Sequence, residues 1–471
     1  MASASLARPQ RGPRLQDAVA TAAVAAAVVV GAAMAVNPRL GVALLVGACA
    51  VPFVLLDLPL GIALWAALIA LSDLPVLGVA STAAGLLAAG CWLGLRRRDR
   101  ARLSDGVTWR GGPTVLVLLL AWISLSLVWA ENTEKAAGEL WRWYLGAFVV
   151  GVVVTSLKRP RDARLVVGGF VLGVVLSVLV GLINDGLGGA GAATETLTST
   201  EGRLKGGLGD PNFLAAAIVP AIVLAAALMP TVRASARWVL LACVGVLVVG
   251  LAATESRGGA VAAAGAFAAA LFVMPRQRRR VVAAGLGITL VGALYFAMYP
   301  KAFERITSSD GGSGRADLWQ VAWRITAEHP TVGVGLHNFT VYSPRYVRQP
   351  GALKNVDLIA ERPHAVHNTY LELLTETGVV GLGLFLAVIA ASLGAAWKAA
   401  LIFERRGDQP LGTLSRGVLV AAVGVLVAAV FVSLGSDPVL WLLLALGPAL
   451  LAMAARLPHA ITVDPGHRIV K

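Results

Sequence analysis

The sequence is short of charge, histidine and cysteine, and each shortage removes a class of protein. Only 14% of the 471 residues are charged, where a soluble domain carries about a quarter, so a water-exposed globule of this length is excluded. Cys49, Cys91 and Cys243 are the three cysteines, and all fall inside apolar runs. They form neither a disulfide framework nor a thiolate metal site and read as packing residues. The six histidines show no HExxH arrangement, which removes the helical zinc-protease pattern. No soluble nucleotide-binding domain, internal repeat or charged low-complexity tail is visible. Net charge is +14, but the excess sits in short loops, where it sets membrane topology rather than binding nucleic acid.

What is abundant is apolar sequence, with 57% hydrophobic residues and a mean hydropathy of +0.77. An apolar run of about 20 residues crosses a bilayer as a helix. About fourteen such spans are predicted, near 17–36, 40–56, 58–72, 76–95, 113–130, 138–157, 164–184, 212–229, 236–253, 258–274, 281–299, 378–400, 415–434 and 438–456. The second and third are short and read alternatively as a re-entrant pair. Arg8, Arg11 and Arg14 precede the first span. It reads as an uncleaved helix rather than a signal peptide cut after "AMA" near Ala35, because it is long enough to span. The expected fold is an all-α integral membrane bundle of about 12–14 transmembrane helices with a large, partly helical extracytoplasmic loop. Three regions follow: 1–299 with an outer loop at 185–211, the large loop 300–377, and the C-terminal helices and short tail 378–471.

Loop charges alternate. "RRRDRAR" from Arg96, "KRPRDAR" from Lys158, Arg233 with Arg237, "PRQRRR" from Pro275 and "FERRGD" from Phe403 fall on one side, with both termini. "SDLP", "ENTEKAAGE", "NDGLGG", "ESRGG" and "SDP" fall on the other. The positive-inside rule makes the first side cytoplasmic and places both long loops outside.

The outer side carries four polar elements. In "EGRLKGGLGDPN" from Glu201, Asp210 and Pro211 suit the start of a membrane helix. Arg203 and Lys205 precede it, either as solvated cations or as part of an anion site at the helix N-terminus. In "ATESRGG", Arg257 opens a span on the side where positive charge is disfavoured. It is either a snorkelling anchor or an arginine facing a watery cavity. From Arg315 a helical period places Leu318, Trp319, Ala322, Trp323, Ile325 and Thr326 on one face, and Asp317, Gln320, Arg324 and Glu328 on the other. This predicts an interfacial amphipathic helix whose tryptophans anchor it, with Arg315 on its apolar side. Finally, "RPHAVHNTYLELLTETGVVG" puts His364 and His367 three apart, on one face if helical, with Asn368 beside them. A metal site lacks a third ligand. A structural histidine pair and a catalytic base are the readings left. His337, Arg345 and Arg348 also lie in this loop.

Arginines bind phosphate through parallel hydrogen bonds and keep their charge. A neutral histidine takes a proton from a hydroxyl at neutral pH, worth roughly 10²–10⁴ in rate. Together they suit transfer from a lipid diphosphate, with arginines stabilising the leaving group.

The same residues resemble a known family. His367-Asn368, nine residues, Gly378, two residues and Gly381 resemble the signature of the O-antigen ligase and polymerase superfamily of membrane glycosyltransferases. "RLKGGLGDPN", "SRGG" and "GRADLWQVAWRITAEHPTVGVGLHNF" resemble its other blocks in the same order, over roughly 203–385. The N-terminal third matches only as a hydrophobic scaffold. The resemblance implies a metal-independent, cofactor-free, inverting glycosyltransferase in the cytoplasmic (inner) membrane, with its site facing outward. The implied donor is a polyprenyl-diphosphate-linked glycan, and the acceptor a glycan, lipid or protein. His367 would be the base, Arg203, Arg257 and Arg315 the diphosphate ligands, and Lys205, His364 and Asn368 further substrate contacts. A polysaccharide polymerase or a protein O-oligosaccharyltransferase would use the same parts. A transporter of an anionic lipid or solute would place its polar residues on broken helices at mid-membrane instead. A non-catalytic envelope scaffold is the remaining alternative.

Overall fold

Without water in a bilayer core, each spanning segment must satisfy its own backbone, so the long apolar runs become helices. The computed structural model describes residues 57–98, 111–184, 202–307, 314–349 and 364–456, with isolated positions 31, 34, 35, 41 and 353. The N-terminal arginines, most of the first two expected spans, Cys49, the stretch 188–200 and the tail beyond Arg456 lie outside the described residues.

The first part of the bundle is α1 (Leu58–Leu68, extended by a 3-10 turn to Leu71), α2 (Pro75–Arg98), α3 (Gly112–Leu125), α4 (Thr133–Ser156) and α5 (Pro160–Asn184). Then come α6 (Pro211–Leu228), α7 (Ala234–Ala253), α8 (Arg257–Val273) and α9 (Arg278–Met298). The large loop folds as α10 (Pro300–Thr307), α11 (Arg315–Glu328) and α12 (Phe339–Tyr346). The chain re-enters the bundle as α13 (Thr369–Arg405), α14 (Gln409–Ala428) and α15 (Pro438–Arg456). Nine helices among the described residues are long and apolar enough to cross a membrane, and Leu58–Leu71, Gly112–Val128 and Arg257–Val273 are shorter apolar helices. These coincide with the twelve spans expected from residue 58 onward. The chain is an all-α, multi-pass membrane protein.

Helix starts follow local chemistry. Side chains of Asn132, Asp210, Ser256, Asn368 and Asp408 accept from backbone N–H groups in the first turns of α4, α6, α8, α13 and α14. Such caps satisfy donors that a helix otherwise leaves open. The cap at Asn368 starts α13 nine residues before the expected span at 378, so the helix crosses the boundary drawn between loop and bundle.

Hydropathy does not say which helix is central. α15 and α9 are equally apolar, yet 89% of the α15 window is buried and only 6% of that of α9. Where helices do join, small residues allow the close backbone approach that packs them in lipid. A Cβ on Gly447 of α15 would stand 2.5 Å from the Ser392 carbonyl oxygen of α13. Gly169 and Gly173 of α5 lie equally close to the Ala63 and Ala67 carbonyls of α1. The loop helices form a second core of Leu318, Val321, Ala322, Ile325, Phe339 and Tyr346, closed by Val366 and Leu371 at the start of α13.

Candidate active site

Four segments meet at the bundle end where α6, α8 and α13 begin. The first is the loop 202–210. Leu204 N donates to Ala253 O (3.0 Å) and Gly207 N to Ser177 Oγ (2.9 Å), which fix it on α7 and α5. Arg203 is half-buried. Its Nε donates to Thr254 O (2.9 Å) and its Nη2 to Asn212 Oδ1 (3.2 Å). Lys205, also half-buried, precedes the short 3-10 turn Gly206–Leu208. Asp210 Oδ1 accepts from Asn212 N (2.6 Å) and Phe213 N (3.2 Å), capping α6.

The second segment is the α7–α8 turn. Ser256 Oγ donates to Asn212 Oδ1 (2.9 Å) and accepts from Gly259 N (3.1 Å). Arg257 is the first residue of α8 and is exposed. Arg203 and Arg257 therefore sit on two elements joined through Asn212.

The third is α11, whose first residue is the half-buried Arg315. Leu318, Ala322, Ile325 and Thr326 of the expected face are buried, but its tryptophans are not, and one residue of the polar face is. Asp317 is buried, and Trp323 is 58% exposed. The reason is that α11 packs on α13, with Thr326 Oγ1 and Thr375 Oγ1 3.1 Å apart, and is tied to α12 by Arg324 Nη1 donating to Tyr346 O (2.9 Å). Trp319, expected as a membrane anchor, instead donates its Nε1–H to Val366 O (3.1 Å), the peptide before His367.

The fourth segment holds the histidines. Residues 364–368 are not helical, so His364 and His367 do not share a helix face as the spacing suggested. Asn368 Oδ1 accepts from Tyr370 N and Leu371 N, both at 3.1 Å, which makes Asn368 the cap of α13. His367 has φ +53°, a left-handed conformation that costs a non-glycine residue about 1–3 kcal/mol. Its flanks are held: Val366 by Trp319, and Thr369 through N–H to Ala429 O (2.8 Å) and Oγ1–H to Val432 O (2.7 Å).

Behind His367, α13 is broken at Gly378 (φ +68°, ψ −174°). The carbonyls released there are taken by neighbours. Val334 N donates to Thr375 O (3.0 Å), Gly335 N to Glu376 O (2.8 Å) and Trp122 Nε1 to Thr377 O (2.9 Å). Gly378 allows close packing, since a Cβ there would lie 2.0 Å from Thr331 O. It also supplies the backbone conformation of the break. Glu376, 4% exposed, accepts from His337 N (2.7 Å) and Phe339 N (3.3 Å). His337 is a second non-glycine residue at positive φ, +55°.

Electrostatics bring Arg315, His367, Asp210 and His364 into one neighbourhood. Burial pushes the His367 imidazole below its ordinary pKa; the Arg315 cation adds to this, Asp210 opposes it, and His364 lowers it further. The shift favours the neutral ring, the form able to accept a proton. Burial also lowers Arg315, with Asp210 opposing, but a guanidinium stays charged. Arg345 is not part of this group, since its Nη1 and Nη2 both donate to Glu131 (2.9 and 2.6 Å). Arg348 is exposed just beyond α12. Among the described residues no group of three or more His, Cys, Asp or Glu side chains could hold a metal ion.

Residues 241–386 match the family model described as O-antigen ligase. That segment is similar to the O-antigen ligase family. An O-antigen ligase of Pseudomonas aeruginosa is 31% identical over 149 residues, 31% of this chain and 32% of that relative, so the match spans about a third of the relative. The matched segment contains Arg257, Arg315, His364, His367 and Asn368. Arg203 and Lys205 precede it, and Arg203 docks onto it at Thr254. Asn212, Ser256, Trp319 and Glu376 shape the site without having been singled out for it. Only Asp210-Pro211-Asn212 had a local signal, and that signal read as a helix start.

Proposed function

We propose that this chain is a ligase-like membrane glycosyltransferase, moving a glycan from a polyprenyl-diphosphate carrier to an acceptor hydroxyl outside the cytoplasmic membrane. His367 takes the acceptor proton. The freed oxygen attacks the anomeric carbon, and the bond from that carbon to the diphosphate oxygen breaks with inversion. The diphosphate leaves as an anion, its added charge held by Arg203, Arg257 and Arg315, with Lys205 adding to the positive potential. His364 and Asn368 border the reacting groups.

One observation carries this reading: a half-buried histidine, its pKa lowered by desolvation, lies in the field of an arginine that opens a helix. A helix N-terminus attracts anions, and Arg257 opens α8 in the same way. An anionic leaving group and a neutral base are what inverting transfer from a diphosphate needs.

His367→Ala in the full chain tests the reading. Carrier-linked glycan extracted from a deletion strain serves as donor. Transfer should fall by about 10²–10⁴, the usual contribution of a general base, with membrane protein level unchanged. Near wild-type transfer would remove His367 as base. The deletion strain reports the acceptor class: full-length polymer retained on the carrier means ligase, and single repeat units mean polymerase.

A further inference from the structure

We infer that Asn212 is a positioning residue for donor binding, setting the spacing of the two arginines that flank the diphosphate. This rests on the function proposed above. The geometry is a shared acceptor. Asn212 Oδ1 receives Arg203 Nη2 at 3.2 Å and Ser256 Oγ at 2.9 Å. Arg203 also spans to Thr254 O at 2.9 Å, and Leu204 N to Ala253 O at 3.0 Å. Ser256 in turn caps α8, accepting from Gly259 N at 3.1 Å. One carboxamide oxygen therefore ties the loop that carries Arg203 to the first turn of the helix that carries Arg257.

Asn212 is itself fixed. It is the second residue of α6, and its N–H donates to Asp210 Oδ1 at 2.6 Å. It belongs to a helix start in which Pro211, Leu214, Ala215 and Ala216 are buried. The reference point is thus a rigid helix, and the arginines are set against it rather than against a mobile loop. Only an oxygen acceptor can take both donors, and a neutral one adds no charge beside an anion site. Asparagine meets both requirements, whereas aspartate meets the first alone.

The test uses the full chain reconstituted in lipid, with carrier-linked glycan from the deletion strain as donor and inorganic pyrophosphate as competing probe. Asn212→Ala should raise the donor KM and the pyrophosphate inhibition constant about tenfold, the factor expected for one lost charge-assisted hydrogen bond. The acceptor KM should stay within about threefold, while kcat should fall as well, because the same arginines hold the departing charge. Asn212→Asp keeps the acceptor and serves if the alanine variant does not accumulate. It should weaken pyrophosphate in the same direction, because its charge offsets Arg203. Loss of kcat with donor KM and pyrophosphate binding unchanged would overturn the inference, as would wild-type pyrophosphate binding by the aspartate variant. If Arg203→Ala and Arg257→Ala leave transfer intact, the proposed function fails instead. If they abolish transfer while the Asn212 variants bind pyrophosphate normally, this inference alone fails.

Discussion

The two ends of the bundle use arginine in opposite ways. At the end marked by Glu404, arginines serve helix C-termini and carboxylates. Arg416 pairs with Glu404 through two nitrogens and donates to Val273 O; Arg406 donates to Ala454 O and Arg237 to Met229 O. A cation there meets the negative end of the helix dipole, which stabilises it by about 0.3–1 kcal/mol. At the His367 end, Arg257 and Arg315 occupy the first position of α8 and α11, the positive end. The dipole works against them there, so their placement concentrates positive potential. One end is a structural use of charge and the other, on the function proposed above, a binding one, and the two are separable by experiment.

The largest separation should come from pairing His367→Ala with Arg416→Gln. The first should lose transfer by about 10²–10⁴ and keep its thermal midpoint in detergent. The second breaks a largely buried pair, with side chains 13% and 16% exposed, and should lose up to about 3 kcal/mol of stability while each folded molecule transfers normally. A thermal loss in the His367 variant equal to that in the Arg416 variant would collapse the distinction. Next, Arg257→Lys should lose most transfer despite keeping the charge, because lysine cannot make the two parallel bonds of a guanidinium; full activity would return Arg257 to an anchoring role.

A smaller effect tests the field at the histidine. The base works neutral, so activity falls as pH drops through its pKa. Arg315 helps hold that pKa down, so Arg315→Gln should move the acid limb of the pH–rate profile to higher pH. An unmoved limb would detach Arg315 from His367. The smallest expected change is in Trp319→Phe, which removes the bond to Val366 O. It should lower kcat by about fivefold, the worth of roughly one hydrogen bond, with little change in donor KM.

Much of the site was legible because family-like blocks and charge alternation are local patterns. Arg257 and His367 stand out in sequence as polar groups at the edges of apolar runs. The failures were those of distance. His364 and His367 read as helical neighbours because their spacing allows it, but the helix capped by Asn368 starts only at Thr369, two residues after His367. Trp319 and Trp323 read as a pair of anchors because both are aromatic. In the folded chain one holds the peptide before His367, and the other is exposed. Arg345 had no role legible in sequence, because its partner Glu131 lies more than two hundred residues away.

Sequence alone determined that this chain crosses a membrane repeatedly as helices, since length and hydropathy of each run suffice for that. It also determined where most helices start, because caps are local. Which helices lie at the centre was decided only in three dimensions, where glycines such as Gly447 admit a neighbouring backbone. Tertiary structure likewise decided that one oxygen of Asn212 joins Arg203 to the start of α8. Those contacts depend on geometry between distant segments, and hydrophobic pattern carries no record of it.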